Sequence, residues 1–213
     1  MTLETATTIA DQIIEWDSSI NVIFSGRSEP TLHKQFDKLA NVFLERGINL
    51  YLITNGAKLN RYVETALEFK RVALDVYSDD RNDFDSVYNE YHTLPFKHLL
   101  LEQVTSNGQR IISWDSHYPQ EFKKPKPLVL ENRAGSLNVV IPSKKKCNRL
   151  LWTTVINWNG DYNLCCDDWT PHVLGNIHDQ QLKDFWYNNK KLNQYRQALL
   201  DKKPLSPCNV CSR

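Results

Sequence analysis

Every cysteine of this 213-residue chain lies in its last third, and four of the five form two remote pairs. Cys147 and Cys165 flank a glycine as C-x12-G-x4-C, and Cys208 and Cys211 form a C-x2-C near the last residue. A C-x2-C turn lets two sulfurs face one centre, and a glycine at a chain reversal lets the flanking pair approach the same centre. Soft thiolates select an iron–sulfur cluster or zinc, and cysteine spacing alone leaves both open. Cys166 is surplus and is expected to be a buried thiol. Lys144, Lys145 and Lys146 are expected to be a solvated charge run.

An odd number of cysteines argues against a disulfide framework. No apolar run approaches the roughly 18 residues that a membrane-spanning helix needs, and no signal-peptide layout opens the chain. The expected address is therefore cytoplasmic, where thiols stay reduced and metal ligation is their leading use. The 26 basic residues nearly balance the 25 acidic ones. No global field points to nucleic acid or to a membrane surface.

The first half alternates helical and strand patterns. Ala6, Ile9, Ala10, Ile13 and Ile14 repeat at helical spacing, a short strand follows over 21–24, and Phe36, Leu39, Ala40, Phe43 and Leu44 mark a second helix that Gly47 ends. Strand runs at 50–53 and 72–77 enclose the turn pair Asn55-Gly56 and a helix near 63–69. Such alternation predicts an α/β domain with a parallel sheet, whose ligand sites lie beyond the carboxyl ends of the strands. A helix over 84–91 and strands at 98–101 and 110–114 follow. The stretch 119–127, with three prolines and three lysines, is expected to be a connector, which puts a domain boundary near residue 130. Beyond it the chain predicts a hairpin from Leu150 to Leu164 around Asn159-Gly160, then one helical stretch from Leu182 to Leu200.

The cysteine spacing, the segment Leu174-Gly175-Asn176-Ile177 with Phe185-Trp186 shortly after, the helix ending in Tyr195-Arg196-Gln197-Ala198-Leu199-Leu200 and the closing C-x2-C resemble the SPASM and twitch domains of radical SAM enzymes. The segment Asn132-Arg133-Ala134-Gly135 also resembles what precedes the first cluster cysteine there. The resemblance covers residues 130–213 and implies that Cys147, Cys165, Cys208 and Cys211 ligate one auxiliary 4Fe-4S cluster. A full SPASM domain carries further cysteines for a second cluster, and this sequence does not.

After the first strand, Ser25-Gly26-Arg27-Ser28-Glu29-Pro30 resembles the GGEP motif of the radical SAM partial barrel. Carried over residue by residue, Gly26, Ser28 and Glu29 would hold the methionine end of S-adenosyl-L-methionine, with Asn55 at the next strand end and Ser78 toward the ribose. The implied architecture is an incomplete radical SAM-like (β/α) partial barrel over 1–130, followed by a small α+β SPASM/twitch-like cluster domain over 131–213. One departure is decisive. Radical SAM enzymes bind their catalytic cluster with C-x3-C-x2-C, and no cysteine precedes Cys147. The chain is therefore expected to be truncated and silent alone, either a remnant or acting with a separate subunit or upstream-encoded segment that carries this loop. The resemblance implies a peptide or protein as substrate.

Other chemistry is thin. His33, His92, His98, His117, His172 and His178 show no HExxH or comparable spacing, and no phosphate-binding glycine loop occurs. Asp167 and Asp168 are expected to cap a turn, and Trp158, Trp169 and Trp186 to pack around the cluster lobe. The competing function is a non-catalytic binding module stabilised by zinc or a structural cluster.

Overall fold

The computed structural model describes residues 1–26, 28–106, 108–119, 147–168 and 172–211. Arg27, most of the 119–127 connector, the 132–135 motif, the three lysines at 144–146 and Trp169 lie outside them. Two compact units emerge: Asp17–Leu128, and Met1–Trp16 together with Val129–Arg213. Where the sequence places residues 1–16 with the α/β half, their contacts group them with the cysteine-bearing half.

Within Asp17–Leu128 the elements run β1 (Val22–Phe24), α2 (Phe36–Leu44), β2 (Leu50–Thr54), α3 (Val63–Leu67), β3 (Arg71–Tyr77), α4 (Arg81–Tyr91), β4 (Leu99–Val104) and β5 (Arg110–Asp115). They follow α1 (Leu3–Trp16) in the chain. The five strands form one sheet in sequence order, with β1 to β4 parallel, as the alternating pattern predicts. Strand β5 turns back antiparallel on β4, because a link from Thr105 to Gln109 is too short for a crossover.

Register decides the two faces. Leu52 pairs with Val72 and Leu74 with Leu101, so Leu50, Leu52, Val72, Leu74, Leu99 and Leu101 share one face, and all are buried. Phe24 meets Phe36, Phe43 and Phe69 edge-on, with centroids 5.7–6.0 Å apart. Each such side chain, fully buried, stabilises by about 1.5–3 kcal/mol. The opposite face carries Tyr51, Ile53, Arg71, Asp75 and Glu102, a polar surface on a parallel sheet.

The other unit builds a three-stranded antiparallel sheet, β6 (Val155–Ile156), β7 (Asp161–Asn163) and β8 (Val173–Asn176), with α5 (Leu182–Asn188) and α6 (Lys190–Leu200). The expected hairpin is present but shorter, since residues 149–151 form a 3-10 turn. Strand β8 was invisible as a strand because Gly175 and Asn176 break its pattern. The predicted single helix over 182–200 is two. Asn189 leaves helical geometry at φ −65° and ψ 115°, its side-chain oxygen accepts from Leu192 N, and its amide donates to Leu174 O. The side chain thus starts α6 and ties it to β8, which a period of 3.6 does not reveal.

Helix α1 closes this unit. Ala6, Ile9, Ala10 and Ile13 are buried, while Ile14 is exposed. Gln12 accepts from Leu182 N at 2.6 Å, and Trp16 meets Tyr187 edge-on at 5.8 Å. Tyr162 stacks on Phe185 at 3.8 Å and donates to Gln180 O.

Candidate metal centre and the α/β strand ends

Cys147, Cys165, Cys208 and Cys211 line one cavity with Arg149, Leu150, Leu164, Asp167 and Pro207. Three short segments deliver the thiols. Cys147 precedes the 3-10 turn at 149–151, Cys165 follows β7, and the last pair sits in a turn where Cys211 N donates to Cys208 O. Gly160 makes the second delivery possible. It adopts φ +88°, and a Cβ there would lie 2.9 Å from Ile177 Cγ2.

Helix α6 holds two of these segments by adjacent side chains. Arg196 Nε donates to Leu150 O at 2.8 Å, just after Cys147, and Tyr195 Oη donates to Ser206 O at 2.8 Å, just before Cys208. Arg196 also lies over the Trp186 ring at 4.1 Å. The Tyr-Arg pair and Phe-Trp pair that carry the resemblance are therefore a brace for the cysteines.

The thiols sit in an unfavourable place for charge. Burial pushes Cys165 up to about 11, against the N–H groups of Asp167 and Asp168 that donate to its sulfur. Burial, and then the nearby Cys165, Cys147 and Cys211, push Cys208 up to about 12. Both are protonated at neutral pH until a cationic centre takes their place, so loading such a site releases protons.

Cys166 is exposed rather than buried as expected, and its sulfur accepts from Arg149 Nη1 at 2.6 Å. Asp167 and Asp168 are buried. Asp167 pairs with Arg149 at 2.7 Å, and Asp168 accepts from His172 Nδ1 at 2.9 Å and from His172 N. Asp167 is thus held by an ion pair and Asp168 by hydrogen bonds, beyond the turn capping expected of them. Trp158 is 72% exposed and does not pack as expected.

At the strand ends of Asp17–Leu128, Glu29 is the organiser. Its Oε1 accepts from Thr31 N at 2.9 Å, Thr31 Oγ1 at 2.6 Å and Thr54 Oγ1 at 2.5 Å, while Oε2 accepts from Asn55 N at 2.7 Å. One carboxylate thereby ties the loop after β1 to the end of β2. Gly26 adopts φ +132° with nothing within 4 Å of its Cβ direction, and Ser28 is exposed. Asn55 Oδ1 accepts from Ala57 N. Ser78, after β3, donates to Asp83 Oδ2 and accepts from Asp80 N, which sets the start of α4. Missed in the sequence was Asp75. Its carboxyl is buried on β3 and raised to about 6, by desolvation first, with Arg110 lowering it and Glu102 and Glu29 raising it.

Residues 147–212 match the family model of SPASM, an iron–sulfur cluster-binding domain. Among solved structures the chain resembles BtrN in complex with AdoMet and 2-DOIA, with TM-score 0.74 and 22% identity over 100% of this chain and 80% of that one. It also resembles selenomethionine BtrN in an open conformation, with TM-score 0.60 and 17% identity over 93% of this chain and 73% of that one. No curated protein matches. Among the described residues no helix is long and apolar enough to cross a membrane. Residues 147–212 thus match the SPASM family of iron–sulfur cluster-binding domains, in a chain whose fold is similar to the radical SAM fold of BtrN.

Proposed function

We propose that Cys147, Cys165, Cys208 and Cys211 hold one auxiliary 4Fe-4S cluster, and that the chain serves S-adenosyl-L-methionine-dependent modification of a peptide or protein. The observation that carries this is the single cavity all four thiols line. An all-thiolate set suits zinc as well as iron and sulfide, and the match of residues 147–212 to an iron–sulfur cluster-binding family favours the cluster.

When bound, the cluster supplies one-electron chemistry or an iron site for substrate. The chain's own residues set its surroundings. Arg149 brings a cation to the cavity wall, Leu150 and Leu164 exclude water, and Asp167 and Asp168 N–H groups donate to the Cys165 sulfur.

We infer that Gly26, Ser28, Glu29, Asn55 and Ser78 mark the S-adenosyl-L-methionine side of the α/β unit, supported by their position beyond parallel strand ends and by the AdoMet bound to BtrN. The three thiolates of a catalytic cluster would come from a partner subunit or an upstream-encoded segment. A small-molecule substrate is the second reading, favoured by 2-DOIA in the same neighbour.

Anaerobic reconstitution tests the first claim. About four iron and four sulfide per chain are expected, and colourless protein with one zinc would overturn it. Reduction with S-adenosyl-L-methionine tests the second. 5′-Deoxyadenosine is expected only when the segment bearing C-x3-C-x2-C is added, and its formation by this chain alone would contradict the partner role.

A further inference from the structure

Two histidines that share no sequence motif are brought together by strand pairing. The β4–β5 ladder pairs Leu100 with Asp115, and Leu99 O accepts from Ser116 N at 2.9 Å. One step further, His98 faces His117, and their rings stack with centroids 3.9 Å apart at 18°. His98 and His117 lie just beyond the ends of β4 and β5, and their ring contact, with Asp115 Oδ1 accepting from His117 N at 2.9 Å, brings the three side chains together.

Their polar atoms are arranged for more than packing. His98 Nε2 lies 3.0 Å from Asp115 Oδ1, and His117 Nε2 lies 3.3 Å from Lys97 O. A carbonyl can only accept, so His117 carries its proton on Nε2 and keeps the Nδ1 lone pair free to ligate, with the carbonyl orienting the ring. Each of the three residues offers one ligand atom, and these lie within 4.8 Å of one another. Around a tetrahedral zinc ion such ligands stand about 3.4 Å apart, so shifts of side chains alone close the site.

We propose that His98, Asp115 and His117 bind a divalent transition metal of borderline softness, zinc being the natural candidate. Two imidazoles and a carboxylate suit zinc, nickel or copper better than calcium or magnesium. Three protein ligands leave a fourth position to water. Asp115 supplies the one negative charge, while the Arg71 guanidinium acts on His98 from the neighbouring strand.

The test uses tag-free protein with its cysteine site loaded, titrated with zinc by calorimetry and with cobalt by visible spectroscopy. One equivalent is expected beyond the cysteine site, with the weak cobalt bands of nitrogen and oxygen ligands. His117→Ala, at an exposed position, and His98→Ala should each weaken it at least tenfold. The proposal is overturned if all bound cobalt shows sulfur-to-metal charge transfer, or if both variants bind as the parent does. Failure of the cluster assignment reads out differently, as thiolate-bound cobalt that is insensitive to His117→Ala.

Discussion

The guanidinium of Arg149 stands 2.7 Å from the buried carboxylate of Asp167, inside the wall of the cavity that four cysteines share. Burial alone would lower Arg149, but Cys166, Asp167, Cys165 and Cys147 outweigh it and raise its pKa. An electron added to a thiolate-bound cluster raises its negative charge, and this cation offsets that cost. Arg149→Met should shift the midpoint potential negative by tens of millivolts, on the order that such charge changes produce. It should also destabilise the protein by about 1–3 kcal/mol, since the buried carboxylate of Asp167 loses its charged hydrogen-bond donor. Redox titration and urea unfolding check the two effects.

Glu29 joins two strand ends through four accepted hydrogen bonds. Glu29→Gln turns one acceptor oxygen into a donor and orphans at least one of those groups, at about 1–3 kcal/mol. Thermal unfolding should show the loss, and equilibrium dialysis should show weaker S-adenosyl-L-methionine binding.

The parallel sheet was legible because its strands are short apolar runs between helical periods, and the cysteine site because glycine and C-x2-C spacing survive as letters. What stayed hidden depends on pairing across distance. Asn189 interrupts a periodic helix only because Leu174 O lies beside it. Helical spacing does not show that Arg196 and Tyr195 reach carbonyls of two other segments. His98 and His117 are 19 positions apart and meet only through the ladder. Asp75 sits in an apolar run, and nothing local marks it as buried.

Asp75 makes stability depend on pH. Its folded pKa is raised from 3.8 to about 6, so its ionisation is disfavoured by folding. Its contribution is fully present below the unfolded value and is lost as pH rises through about 6. Asp75→Asn should therefore stabilise the α/β unit by about 2–3 kcal/mol at pH 8, falling toward zero near pH 4. Denaturation followed by a probe in that unit, repeated across pH, checks the sign.

Gly160→Ala places a methyl group against Ile177 and Asn176 at a backbone φ of +88°. A loss of about 2–3 kcal/mol is expected. Because the hairpin delivers Cys165, iron content after reconstitution should fall with it.

Iron retention across the five single cysteine-to-serine variants tests the cluster assignment most directly. Cys147→Ser, Cys165→Ser, Cys208→Ser and Cys211→Ser should each lose most of the iron and sulfide after anaerobic reconstitution. Cys166→Ser, altering an exposed thiol outside the cavity, should keep the parent's content. Full iron in any of the first four, or its loss in Cys166→Ser, would contradict the assignment.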